Sequence, residues 1–96
     1  MEYYFQWDPR KAMANRRKHA VPFEQAVTVF RDPRALSIYD VEHSEHEDRW
    51  VTLGISAAGG LLVVHHTYQR MRSGMVRIRI ISCRKATRRE SRQYAE

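Results

Sequence analysis

Between residues 75 and 83 the chain alternates Val76, Ile78 and Ile80 with Arg77, Arg79 and Ile81. No other feature constrains the fold as much. Successive side chains of a strand point to opposite faces, so one face here is apolar and the other carries two guanidinium groups. A strand of this kind needs a sheet with one face covered and the other open to water. The sequence also supplies a cover. Phe23, Ala26, Val27 and Phe30 fall at i, i+3, i+4 and i+7, the spacing of one buried helical stripe.

The rest of the chain fits around that pair. Residues 3–7 are aromatic and extended, a short first strand. Asp8 and Pro9 open a helix that runs to about His19, with aspartate as the N-cap and proline at the first helical position. Arg16, Arg17, Lys18 and His19 fill its last turn, where cations suit the helix dipole. Ala12, Asn15 and His19 share one side of this helix, which either packs lightly or faces a site. Pro22 starts the second helix, and Arg31, Asp32 and Pro33 end it. Period-two patterning then marks strands over 36–39, 50–55, 61–68 and 75–83, with a turn at 58–60 and a polar hairpin loop over 69–74. Thr87 and Glu90 have the spacing of a capping box for a C-terminal helix. Strands joined by short turns pair antiparallel. The expected architecture is therefore α+β, one domain over residues 1–96. It has a curved antiparallel sheet of four or five strands, two N-terminal helices on one face and a short C-terminal helix.

Charge bears on what such a sheet would meet. The formal net charge is +6, and the segment from Arg70 onward holds nine of the seventeen Lys and Arg residues against two acids, Glu90 and Glu96. Crowding guanidinium groups on a small fold is unfavourable unless a polyanion offsets them, and a phosphodiester backbone is the natural one. Residues 40–48 form an acidic loop whose charge could shield the basic face. His43 and His46 lie in it among carboxylates, but a flexible loop holds ligand geometry poorly, so no metal site is expected. Cys83 is the single cysteine, which excludes an internal disulfide and fits a reducing cytosol. With no apolar run of membrane-spanning length and no secretory signal, a cytoplasmic protein without a membrane partner is expected.

An open face carrying Arg77 and Arg79, with Trp50 or Tyr68 and one of His65 and His66, suits single-stranded RNA. Alternation allows at most one of those two histidines to join the arginines. Cutting RNA needs no cofactor if the neighbouring 2′-hydroxyl attacks phosphorus, a base removes its proton and an acid protonates the leaving oxygen. Arginines then stabilise the added charge. His19, His65, His66, Tyr94 and Lys18 are candidates for the proton transfers, and Arg77, Arg79 and Arg84 for the charge. The alternatives are a basic nucleic-acid-binding module or co-repressor subunit that never cuts, and a scaffold gripping an acidic protein.

The chain further resembles a known family. Phe5 through Pro9, Asn15, Lys18 with His19, Phe23 through Ala26, Phe30 with Asp32 and Pro33, Arg49 with Trp50, Leu61 through Val64 with His66 and Thr67, Ile78 through Ser82, Arg84 through Glu90, and Tyr94 together look like the BrnT toxins. These are the ribonuclease halves of bacterial type II toxin–antitoxin pairs. The resemblance implies a RelE-like fold and metal-independent RNA cleavage that stops translation and growth. It also implies neutralisation by a BrnA-like ribbon-helix-helix antitoxin, with operator DNA bound only through the complex. Among matching positions it carries over Lys18, His19, Arg49, His66, Arg79, Arg84, Arg89 and Tyr94 as functional, without dividing chemistry from structure. Taken with the open basic face, the candidates for chemistry are Lys18, His19, His66, Arg79, Arg84 and Tyr94, and those for holding RNA are Arg49, Trp50, Arg77, Arg88 and Arg89. Glu90 matches too, as a functional group or as the capping partner of Thr87. The chain departs from the family pattern at Ala20, where a glycine is expected to end the first helix, and at Pro22, where Ser or Thr is the usual cap. Cys83 stands where a small residue is common, and the 69–74 loop is longer than typical.

Overall fold

Aspartate followed by proline sets the first helix as anticipated. In the computed structural model, which describes residues 2–96, Asp8 Oδ1 accepts from the Arg10 amide at 2.9 Å and α1 spans Pro9–His19. Strand β1 (Tyr3–Gln6) precedes it. The helix stops because Ala20 turns into the left-handed region (φ 59°) while its amide still bonds to Arg16. Helix α2 (Phe23–Thr28) follows and tightens into a 3-10 turn over Val29–Arg31. That tightening modifies the expected stripe. Val29 becomes fully buried beside Phe23 and Ala26, whereas Val27 and Phe30 are only partly covered.

The strands are β2 (Leu36–Tyr39), β3 (Arg49–Ile55), β4 (Leu61–Thr67), β5 (Gln69–Arg70) and β6 (Val76–Lys85), and α3 (Arg88–Ala95) closes the chain. The sheet runs β1-β6-β4-β3-β2, with β5 also paired to β6. Two expectations need correction. The polar loop over 69–74 is shorter, because Gln69 and Arg70 continue the hairpin opposite Arg77 and Val76. The sheet is mixed rather than antiparallel and has six strands, because β1 lies parallel to β6, Tyr3 opposite Val76 and Gln6 opposite Arg79. These two strands are not joined by a turn; most of the chain intervenes, so the short-connection rule does not bind them.

One sheet face packs against α1 and α2. Val76, Ile78, Ile80 and Cys83 meet Leu62, Val64, Val21, Phe23, Ala26 and Val29 in one cluster. Burying a side chain such as Phe23 completely contributes about 1.5–3 kcal/mol. Asn15, the polar member of the α1 inner side, is buried for a structural reason. Its Nδ2 donates to the Cys83 carbonyl at 2.8 Å and its Oδ1 accepts from the Cys83 amide at 3.1 Å, so the side chain completes the ladder of β6 beyond the reach of β1.

A bulge breaks the alternation of β6. His65 pairs with Ser82 and His66 with Ile80, leaving Ile81 as the extra residue. Past it the faces exchange parity. Cys83 turns inward, and Arg84 joins Arg77 and Arg79 on the outer face. Helix α3 covers the β3 end of that face, with Glu90 and Gln93 over Val51, Leu53 and Val63. Among the described residues, no helix covers the β1–β6 end of that face.

Candidate active site

The uncovered end holds a hollow of about 390 Å³ lined by Gln6, Glu47, Asp48, Thr67, Tyr68, Gln69, Arg77 and Arg79. Alternation along β6 places both arginines there. Gln6 arrives because β1 is in register with β6, and Thr67 Oγ1 accepts from the Arg79 amide at 3.1 Å. Arg77 Nη2 donates to Gln69. Glu47, from the acidic loop, is the residue that sequence reasoning missed. Its Oε1 accepts from Arg79 and also from Arg49 Nη2 at 3.4 Å, so one carboxylate sits between two guanidinium groups. Only the loop's acidity hinted at this, through the shielding role expected for it.

The sequence-derived candidates separate. Arg49, Arg77 and Arg79 share the outer face, together with Tyr68 at the rim of the hollow. Arg84 is on the same face but committed to Glu90, with Nη1–Oε1 at 2.8 Å and Nη2–Oε2 at 2.9 Å. This pairing holds the Glu90 carboxyl down at about 2. Glu90 also completes the capping box expected with Thr87. Tyr94 donates its hydroxyl to Asp32 Oδ2 at 2.6 Å, tying the end of α3 to the loop before β2. Asp32 accepts from the Ile55 amide as well, at 2.9 Å. Gly54 permits that approach, since a Cβ there would lie 2.8 Å from Val29 Cγ1. Arg88 and Arg89 are exposed on the first turn of α3. Lys18 and His19 end α1, on the other side of the sheet from Arg77 and Arg79.

His66 and Trp50 also lie on the inner face, so they do not join the arginines. Trp50 pairs with His66 across β3 and β4, and His66 is 1% exposed. Desolvation drives its pKa down to about 4. His65 points outward; burial, then the charge of Arg84, lowers its pKa. Cys83 is buried and its thiol is pushed up to about 12 by desolvation, so Arg84 beside it does not make it a nucleophile.

Fold and site together define a small basic α+β protein whose open sheet end gathers two guanidinium groups and a carboxylate around one hollow. The chain belongs to the BrnT family, described as the ribonuclease toxin of a type II toxin–antitoxin system, whose sequence model matches residues 7–90. No curated protein matches the chain. Membership makes it a ribonuclease toxin with an antitoxin partner. Among the described residues, no helix is long and apolar enough to cross a membrane.

Proposed function

We propose that this toxin cleaves single-stranded RNA without a metal, in the hollow between Arg77 and Arg79. The 2′-hydroxyl beside the scissile phosphate attacks phosphorus and the bond to the 5′-oxygen breaks, leaving a 2′,3′-cyclic phosphate and a 5′-hydroxyl. Glu47 takes the proton of the attacking hydroxyl, and Arg49 helps to hold its carboxylate in position. Arg79 and Arg77 stabilise the charge that accumulates on the phosphoryl oxygens. The hollow opens to solvent, so the departing oxygen takes its proton from water. Arg84 and Tyr94 serve this reaction indirectly, by fixing α3 over the other end of the face.

The observation that carries this reading is the contact of one carboxylate with two guanidinium groups at an open hollow of about 390 Å³. A carboxylate that could take a proton and guanidinium groups that could stabilise charge are neighbours there. Loss of RNA would stop translation and growth in the cytoplasm until a BrnA-like ribbon-helix-helix antitoxin covers the toxin. The complex, rather than the toxin, would bind operator DNA. Labelled single-stranded RNA incubated with the purified chain in EDTA tests the chemistry. Products ending in 2′,3′-cyclic phosphate are expected; salt-dependent binding with no products would instead favour a co-repressor that does not cut.

A further inference from the structure

On the inner face, beyond the cover of α1 and α2, lies a second hollow of about 310 Å³ lined by Tyr3, Phe30, Ser37, Trp50, His66 and Tyr68. We propose that it receives one unstacked RNA base, specifically one bearing an exocyclic amino group, while the adjoining phosphate occupies the Arg77–Arg79 hollow. The proposal rests on the ribonuclease reading and adds the base-recognition site that this reading lacks.

Three observations support it. The walls are aromatic and braced: Tyr39 sits edge-on to Trp50 at 5.3 Å between centroids, Phe30 edge-on to His66 at 4.8 Å, and Tyr3 against Phe30 at 6.0 Å. Rigid aromatic faces are what an unstacked base packs on. Tyr68 borders both hollows. The ladder between β3 and β4 ends at Arg49 and Thr67, so Tyr68 follows directly on its last pair, at the point where the two hollows adjoin.

The third observation sets the hydrogen-bond polarity of the pocket. His66 Nδ1 is 2.8 Å from the Thr67 carbonyl, which can only accept, so Nδ1 carries the proton. Nε2 of the neutral ring therefore accepts from Thr52 Oγ1 at 2.6 Å. The Thr52 hydroxyl has spent its single proton, so Ser37 must donate to it across the 2.7 Å contact. Ser37 is then left with only lone pairs for a ligand. Adenine, cytosine and guanine offer an amino group to them. Uracil presents its ring N–H between two carbonyl oxygens, which crowd those lone pairs. The low pKa of His66 keeps this order of donors intact at neutral pH.

Hexamers of 2′-O-methyl adenosine, cytidine and uridine keep the base and remove the attacking hydroxyl, so binding can be read without cleavage. Wild-type full chain is expected to bind the adenosine and cytidine hexamers more tightly than the uridine hexamer. Trp50→Ala should weaken the first two by about tenfold, in line with the loss of one stacked base. Ser37→Ala, at an exposed position, should fold normally and reduce the discrimination. On cleavable RNA, wild-type cuts should show an amino-bearing base at a fixed distance from the break. Equal affinity for all three hexamers, unchanged by either substitution, would overturn the proposal. RNA that is never cut, with Trp50-dependent hexamer binding intact, would instead overturn the ribonuclease reading and leave the base pocket standing.

Discussion

Arg84 and Glu90 form a two-point pair across the junction of β6 and α3, and Glu90 Oε1 accepts from the Thr87 amide at 2.8 Å in the same arrangement. One carboxylate thereby caps a helix and fastens it to the sheet. Glu90→Ala removes all three bonds and should destabilise the fold by about 1 kcal/mol or more, as loss of a cap does. The folded-state pKa of about 2 lies below the ordinary glutamate value, so the contribution is complete above about pH 4.5 and is lost as pH falls towards 2. Urea midpoints of wild type and Glu90→Ala should therefore converge in acid. Equal midpoints at pH 7 would contradict this role.

His66 imposes a second acid limit at higher pH. The folded pKa is about 4 against an ordinary value of 6.5, so the unfolded chain takes up a proton first as pH falls. The stability due to the neutral ring is full above about pH 6.5 and declines as pH drops to about 4. The urea midpoint should fall across that interval, before Glu90 protonates. A midpoint that stays flat from pH 7 to pH 4.5 would count against the buried Thr52–His66 contact.

At the end of α1, Ala20 holds a left-handed backbone (φ 59°) that carries a steric cost for any residue with a Cβ. Ala20→Gly should raise stability by roughly 0.5–1 kcal/mol, part of the relief being offset by glycine's greater freedom when unfolded. Thermal unfolding measures it, and a lower midpoint would be the contrary result.

Glu47→Gln separates proton transfer from binding. Without the base, cleavage should fall by roughly 10²–10⁴. Affinity for 2′-O-methyl RNA should rise, because one negative charge has left the space between Arg49 and Arg79. Wild-type cleavage by this variant would remove Glu47 from the chemistry, and weaker binding would show that it does not compete with phosphate.

What could be read in the sequence was local. The Val76–Ile80 alternation, the Asp8–Pro9 start of α1 and the Thr87–Glu90 box each depend on neighbours a few residues apart, and each is present. What escaped depends on pairing between distant segments. The bulge at Ile81 is set by how β4 meets β6, and it alone places Arg84 outward and Cys83 inward. Parallel β1 pairing brings Gln6 to the hollow. Trp50 and His66 share a face only through the register of β3 on β4. Glu47 looked like one acid in a solvated loop, because nothing near it in sequence indicates that the loop folds back onto Arg79.

The most direct test compares cleavage of labelled single-stranded RNA by Arg79→Ala and wild-type protein of equal foldedness. Arg79 is partly exposed, so its removal should leave the fold intact. The expected result is a rate lower by about 10²–10³, the usual effect of deleting one charge stabiliser of a transition state. Cleavage at the wild-type rate would contradict placement of the reaction between Arg77 and Arg79.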